Sequence, residues 1–324
     1  MIARLKERIP AQRGRILDRL MVWSAALLVL AVASFAVYYY IDQKGGGGSA
    51  RPMDDQIATF ETGVREHPDD ASARANLAAL YFAEGRYDEA IEQYEVALEV
   101  DEENETYLVG LGRALLSAGD HRAAAEKFQK AVDLSTEAEL TSDVIETAYY
   151  YLGSISLTEG KPDEAVTHLK KALDVEPTDA DAWYLLGAAS IEADDIDGAI
   201  EALTRAVLFV PNYTEAYEKL IVAYEEKGLE AEARYARGML AYSEGRYGDA
   251  VTELEAAIAA SPELASAYAG LGLARESLSQ RDAAIAAYQR AIELDPDSFG
   301  ARSGLVRLGA PEPEAAGAHE EVAP

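Results

Sequence analysis

The chain has 324 residues, of which 49% are hydrophobic and 27% charged, and it contains no cysteine. The lack of cysteine excludes disulfides, thiol nucleophiles and cysteine-ligated metal sites. The formal net charge of −29 at pH 7 disfavours nucleic acid and anionic lipid as partners and favours neutral or basic proteins. An alternative is that the acidity serves only to keep the chain soluble.

Residues 1–20 form a basic segment, and residues 21–41 after it contain no charged side chain. At ~1.5 Å per residue, a helix of this length spans about 30 Å, the thickness of a bilayer core. Trp23 lies near one end and three tyrosines, 38–40, lie at the other, as aromatic residues do at membrane interfaces. The pattern predicts one N-terminal transmembrane helix over 21–41.

A cleaved signal peptide is the alternative, with Ala31-Val32-Ala33 as the cleavage site. Cleavage there would leave the apolar segment 35–41 as the new N-terminus, and the apolar run exceeds the usual signal core of about 7–15 residues. The uncleaved anchor is therefore favoured. The basic flank places the N-terminus in the cytoplasm and everything after the span on the extracytoplasmic side.

Residues 42–52 contain the run KGGGGSA and are expected to form a flexible linker. The next segment, 53–66, carries Ile57, Phe60 and Val64 with helical spacing. We expect it to be a helix that caps the open end of a repeat array.

A helical hairpin recurs from Ala71 onward with a spacing of 34 residues. The first helix of each copy has a small residue: Ala78, Gly112, Gly153, Gly187, Gly238 and Gly272. The second helix has a bulky residue between two alanines: Tyr94, Phe128, Leu169, Leu203, Leu254 and Tyr288. Small residues let helices approach and large ones fill the gaps beside them, so the pattern predicts stacked helical hairpins.

The pattern resembles the tetratricopeptide repeat, whose W-x2-L-G-x2-Y, A-x3-F and P signature has the same period. A fuller copy contains Trp183, Leu186, Gly187, Ala199 and Pro211. The resemblance implies an all-α fold, an α-α superhelix over residues 53–309 that is preceded by the transmembrane helix. Its expected parts are full repeats at 71–104, 105–138, 146–179, 180–213, 231–264 and 265–298, a half-repeat at 214–230 and a cap helix at 298–308.

Three segments depart from this regular order. Extra residues near 139–145, about two helical turns, predict a longer first helix in the third repeat. The segment 231–243 fits a second helix through Ala233 and a first helix through Gly238, and Arg237 at the usual leucine position favours the second helix. Residues 310–324 are expected to form a disordered tail.

Aspartates recur at the start of the second helices, where we expect them to act as caps. They are Asp88, Asp163, Asp197 and Asp282. The sequence contains no metal-binding histidine spacing, no phosphate-binding loop and no nucleophile elbow. We therefore expect no enzyme activity, no cofactor and no metal.

In proteins with this repeat, the first helices line a concave groove that binds extended or helical peptides. The groove-facing residues implied here are Phe82, Val109, Arg113, Leu116, Tyr150, Leu157, Tyr184, Ile191, Val222, Tyr235, Met239 and Tyr242. This lining is apolar and aromatic, with acidic edges such as Glu218, Glu225 and Glu226, and it suits a basic, amphipathic partner segment. The alternative for each residue is packing against a neighbouring helix.

The expected function is a single-pass scaffold in the cytoplasmic membrane that binds other proteins outside the cytoplasm. Secretion, envelope-protein folding and complex assembly are its candidate tasks, by analogy of architecture, and fold alone does not fix function. One alternative is a membrane adaptor with inverted topology that recruits soluble partners in the cytoplasm. Another is a non-catalytic accessory subunit of an envelope enzyme.

Overall fold

The computed structural model describes residues 52–135 and 142–313. Within these ranges the chain forms fifteen helices and no strand, which confirms the predicted all-α fold. The helices are α1 (Pro52–Glu66), α2 (Ala71–Ala83), α3 (Tyr87–Val100), α4 (Glu105–Ser117), α5 (His121–Leu134), α6 (Asp143–Thr158), α7 (Pro162–Val175), α8 (Ala180–Glu192), α9 (Ile196–Phe209), α10 (Thr214–Glu226), α11 (Glu230–Ser243), α12 (Tyr247–Ala260), α13 (Ala265–Ser277), α14 (Arg281–Leu294) and α15 (Phe299–Leu308).

The predicted transmembrane segment, 21–41, lies outside the described residues and stays a prediction. Within the described ranges, no helix combines the length and the hydropathy that a membrane span requires. The chain divides into two compact units, 1–61 and 62–324, with the boundary inside α1. The second unit holds α2 to α15 and all of the repeats, whereas the expected cap role of α1 stays a prediction.

Helices of the second unit pack against their neighbours along the chain. The closest pairs are the predicted hairpins α2–α3, α4–α5, α6–α7, α8–α9, α11–α12 and α13–α14. A first helix also touches the first helix of the next hairpin, as α4 touches α6. Among the described helices, no contact extends beyond the adjacent repeat, so the core is a continuous stack of nearest-neighbour interfaces.

A small residue in the first helix allows each of these hairpins to close; it is Ala78 in α2 and a glycine in the other five. A Cβ atom at Gly187 would lie 2.5 Å from Leu203 Cγ, and one at Gly238 would lie 2.6 Å from Leu254 Cγ. Leu203 and Leu254 are fully buried. The predicted alternation of small and large residues is therefore the contact that holds the two helices of a hairpin together.

The starts of the second helices correct one prediction. Their first turns contain Asp88, Asp163, Asp197 and Asp282, each two residues inside the N-cap. These carboxylates stabilise the helices through the macrodipole and do not occupy the N-cap position itself. In α9 the cap is Asp195, whose Oδ1 accepts a hydrogen bond from Gly198 N at 3.0 Å.

The insertion lengthens α6, which has 16 residues against 13 in α8. The longer helix agrees with the expectation for the third repeat. Residues 136–141, which hold the rest of the insertion, lie outside the described part of the chain.

Helix α11 serves as a second helix for α10 and as a first helix for α12. It packs against both, and it also contacts α13 as the other first helices contact their successors. Toward α12 it presents Gly238 in the regular way. Toward α10 the usual glycine is absent, because Ile221 and Arg237 stand one repeat length after Gly187 and Leu203.

Candidate functional site

The twelve predicted groove residues all lie on α2, α4, α6, α8, α10 or α11. Arg113 and Val222 are exposed. The half-buried members are Phe82, Leu116, Tyr150, Leu157, Tyr184, Ile191, Tyr235 and Tyr242. Half-buried aromatic and aliphatic side chains at the margin of a core can pack on a partner without leaving the fold.

The other two predicted groove residues, Val109 and Met239, are core residues, with exposed fractions of 6% and 4%. Val109 belongs to the same buried cluster as Phe128. Met239 fills the space above Gly270, where a Cβ atom would lie 2.8 Å from its Sδ. The prediction that these two side chains line the groove is therefore corrected by their burial.

The N-terminal part of the groove carries a cation from the chain itself. The Arg113 guanidinium lies 4.9 Å from the ring centroid of Phe82, within the range of a cation–π interaction. Tyr87 also packs against Phe82, with ring centroids 5.7 Å apart. Phe82 is therefore already covered by side chains of its own chain.

The middle of the groove contains three tyrosines from successive repeats, which we call the tyrosine patch: Tyr150 on α6, Tyr184 on α8 and Tyr213 just before α10. The rings of Tyr184 and Tyr213 lie 5.2 Å apart with planes tilted by 31°. All three are half-buried. The patch therefore contains one pair of rings in contact and a third tyrosine nearby, and it remains partly open.

A rim of carboxylates surrounds the tyrosine patch: Glu146, Asp179, Asp181, Glu215 and Glu218. The Tyr213 hydroxyl donates a hydrogen bond to Asp181 Oδ1 at 2.6 Å. Burial, this hydrogen bond and the charge of Asp181 raise the pKa of Tyr213. Burial and the nearby Asp181 and Asp179 raise the pKa of Tyr150 to about 12, so both hydroxyls stay protonated at neutral pH.

Among the rim carboxylates, Glu146 has a raised pKa. Burial raises its pKa, and the charges of Asp179, Asp143 and Glu176 raise it further, against a hydrogen bond from Thr147. In the part of the chain that the structure describes, none of the five rim carboxylates forms an ion pair with a lysine or arginine. The rim therefore carries uncompensated negative charge beside the aromatic surface.

The C-terminal part of the groove is formed by α10 and α11. Tyr235 and Tyr242 pack at the edge of one buried cluster together with Tyr184. Glu225, predicted as an acidic edge, is paired with Arg237. This carboxylate is therefore already neutralised within the chain, unlike Glu218.

Sequence models of the tetratricopeptide repeat match residues 156–224 and 235–299, and a model described as a TPR repeat matches residues 78–119. Together these segments cover more than half of the chain. The chain belongs to the tetratricopeptide repeat family. No curated protein sequence matches it significantly.

Solved structures of other proteins are similar to parts of this chain. A repeat protein from Cytophaga hutchinsonii is 19% identical and covers 78% of this chain and 94% of its own, with a TM-score of 0.50. A MamA RS-1 double mutant is 23% identical and covers 54% and 95%, also with a TM-score of 0.50. A further MamA structure is 29% identical over 55% and 93%, with a TM-score of 0.49. At 19% and 23% identity, the first two likenesses concern the fold alone.

Sequence reasoning missed three residues of the site, Glu146, Asp181 and Tyr213. The last of these offered a signal, because it occupies the position where Asn104 and Asp179 cap the following helix in other repeats. Tyr213 is the N-cap residue of α10 but makes no side-chain capping hydrogen bond. Giving up a cap typically costs about 0.5–2 kcal/mol. Leu264 before α13 also lacks a capping hydrogen bond, so the hydrogen bond from Tyr213 to Asp181, and not the missing cap, places Tyr213 in the site.

Proposed function

We propose that this protein is a membrane-anchored scaffold whose groove binds segments of other proteins on the extracytoplasmic side. The repeat family itself indicates a scaffold for protein–protein interaction. The observation that supports the groove as the binding surface is the tyrosine patch with its carboxylate rim. Aromatic side chains bury large areas at low entropic cost, and unpaired carboxylates attract a basic segment and speed its encounter with the groove.

Photo-crosslinking in native membranes tests this surface directly. A benzophenone amino acid at position 184 lies within the tyrosine patch, whereas one at position 126 replaces the exposed Glu126 of a second helix. Proteins captured from position 184 but not from position 126 support binding in the groove. The same set of proteins from both positions, or none from position 184, would contradict it.

The anchor and its orientation rest on the uncharged run 21–41 and its basic flank. Protease added to spheroplasts is expected to digest the repeats while residues 1–20 stay protected. Repeats that survive until the cytoplasmic membrane is opened would instead establish the adaptor that faces the cytoplasm. Release of the intact protein by high salt or carbonate, without detergent, would contradict the anchor.

A further inference from the structure

The chain contains one tyrosine–carboxylate pair that is completed by an arginine of the same chain. Near its C-terminal end, the Tyr288 hydroxyl donates to Glu276 Oε2 at 2.7 Å. Arg307 closes the arrangement by donating from Nε to Glu276 Oε1 at 3.0 Å and from Nη2 to Oε2 at 2.9 Å. This two-point contact is the geometry that a planar guanidinium makes with a carboxylate.

The tyrosine patch has the same pair without the arginine. Tyr213 donates to Asp181 Oδ1, as Tyr288 donates to Glu276. Among the described residues, no other side chain donates a hydrogen bond to the Asp181 carboxylate. The neighbouring Asp179 is less available, because its Oδ1 accepts from the backbone N of Asp181 and of Ala182 as the cap of α8.

Elsewhere the chain repeatedly places its own arginines over groove or first-helix aromatics. Arg113 lies over Phe82, Arg205 lies 4.8 Å from the Trp183 ring and Arg290 lies 6.0 Å from the Tyr268 ring. Within the described ranges, no such cation lies over the three tyrosines of the patch. The insertion segment 136–141 contains acidic residues but no basic one.

We propose that the tyrosine patch, with Asp181 and Glu146, is a subsite for one arginine side chain of the bound partner. The guanidinium stacks on Tyr184 or Tyr150 and makes a two-point contact with Asp181, which keeps its hydrogen bond from Tyr213. Arginine fits better than lysine, because its planar group can stack and donate two parallel hydrogen bonds at once. This inference rests on the proposed function and specifies which side chain the groove recognises.

Electrostatics at Glu146 favours the same occupant. The charged and titratable groups around Glu146 are Asp143 on its own helix, Glu176 and Asp179 from the turn before α8, and Tyr150. All of them are acids. A bound guanidinium would be the first positive charge in this group, and it would offset the repulsion that Glu146 experiences.

Three synthetic peptides test the subsite. Each is a 15-residue amphipathic helix of leucine, alanine and serine with a single central residue, which is arginine, its neutral isostere citrulline, or lysine. We expect the full-length chain to bind the arginine peptide about tenfold more tightly than the citrulline peptide, by fluorescence anisotropy, with lysine between them. Equal affinity of the arginine and citrulline peptides would overturn the proposal without requiring any variant of the protein.

Two variants of α8 locate the effect. Asp181→Asn should bring the arginine peptide down to the affinity of the citrulline peptide and leave the latter unchanged. Glu192→Gln, on the same helix and outside the patch, makes the same change of charge and should do neither. If Glu192→Gln has the same effect as Asp181→Asn, then the net charge and not the subsite is responsible, and the proposal is wrong.

The same experiment separates this inference from the proposed function. If Tyr184→Ala weakens all three peptides equally while Asp181→Asn changes nothing, the groove binds segments but has no arginine subsite. If no peptide binds at the highest concentration, the subsite is overturned, and the crosslinking from position 184 decides the proposed function independently.

Discussion

Two tyrosine–carboxylate pairs in this protein differ in whether the chain completes them. At the C-terminal end, Tyr288 is fully buried between Gly272 and Gly304, and Arg307 neutralises its partner Glu276. In the middle of the groove, Tyr213 is half-buried, and Asp181 has no cation within the described residues. The first pair belongs to the core, whereas the second lies on the surface that we assign to partners.

The two pairs differ in the pKa of the carboxylates around them. The hydrogen bond from Arg307 lowers the pKa of Glu276 despite its burial, and the hydrogen bond from Tyr288 and the charge of Arg307 act in the same direction. Beside the open pair, where no such cation lies within the described residues, burial and like charges raise the pKa of the neighbouring Glu146. The closed pair stabilises the fold, and the open one retains unpaired charge, as binding sites commonly do.

Truncating the two tyrosines should give the largest difference in stability between the two pairs. Tyr288→Ala removes a fully buried ring and is expected to lower the free energy of unfolding by about 3–5 kcal/mol. Tyr213→Ala removes a half-buried ring that provides no helix cap, so we expect a loss of only about 1 kcal/mol. Urea unfolding of both variants, followed by circular dichroism, measures the two values, and equal losses would mean that Tyr213 is a core residue.

Removing Arg307 should leave the C-terminal tyrosine–carboxylate pair without its cation. Arg307→Met leaves a partly buried carboxylate without its cation and should cost about 1–2 kcal/mol at pH 7. Because Arg307 lowers the pKa of Glu276, its contribution is fully present above the ordinary value of 4.5 and is lost as the pH falls through the lower folded value. The stabilities of wild type and variant should therefore converge in acid.

Denaturation at pH 7 and at about pH 3 tests this expectation. Arg302→Met, on the same helix but paired with Glu312, is the control and should change stability by at most a few tenths of a kcal/mol. A cost of Arg307→Met that does not depend on pH would mean that its methylene groups pack on Tyr288 and that its charge is unimportant.

The fold could be predicted from the sequence because a solenoid depends on local rules. The fixed spacing of Gly187 and Leu203 predicts their contact. The same spacing of a small and a large residue recurs in every full repeat. Residues 231–243 were ambiguous because α11 packs against both α10 and α12, and only its contact with α12 uses the usual glycine, Gly238.

The site was predictable only in part, because it depends on neighbours from different repeats. Tyr150 and Tyr184 follow from the repeat register, but the pairing of Tyr213 with Asp181 joins residues 32 positions apart. Burial is also set by the stack, so Met239 has a groove position by register and still fills the space over Gly270. Register predicts which helix carries a side chain but not what covers it.

Binding kinetics should separate the aromatic surface, which affects dissociation, from the charged rim, which affects association. Tyr184→Ala should mainly speed dissociation of the arginine peptide, with a loss of about 1–2 kcal/mol in binding free energy. Replacing Glu215 and Glu218 by Gln should mainly slow association, and only at low salt. These two carboxylates suit the test better than Glu225, which is already paired with Arg237. Unchanged dissociation from folded Tyr184→Ala would assign Tyr184 to the core.

The smallest expected effect is at Glu146, where removing a charge should stabilise the protein. Burial and the charges of Asp179, Asp143 and Glu176 raise the pKa of this carboxyl in the folded state. A raised folded pKa means that the ionised form is less favourable in the native protein than in the unfolded chain. This penalty is complete above the folded pKa and disappears as the pH falls below the ordinary value of 4.5.

Glu146→Gln should therefore raise the free energy of unfolding by a few tenths of a kcal/mol at pH 7. This value allows for solvent screening of a half-buried group. At about pH 3 the variant should have the same stability as the wild type. The same variant should weaken the arginine peptide, because the repulsion that destabilises the free protein is what the guanidinium relieves. In the wild type, the arginine peptide should accordingly bind more weakly as the pH falls through the pKa of Glu146, and the citrulline peptide should not. A variant that is more stable but binds the arginine peptide unchanged would exclude Glu146 from the subsite and leave Asp181 as the acid that recognises the partner.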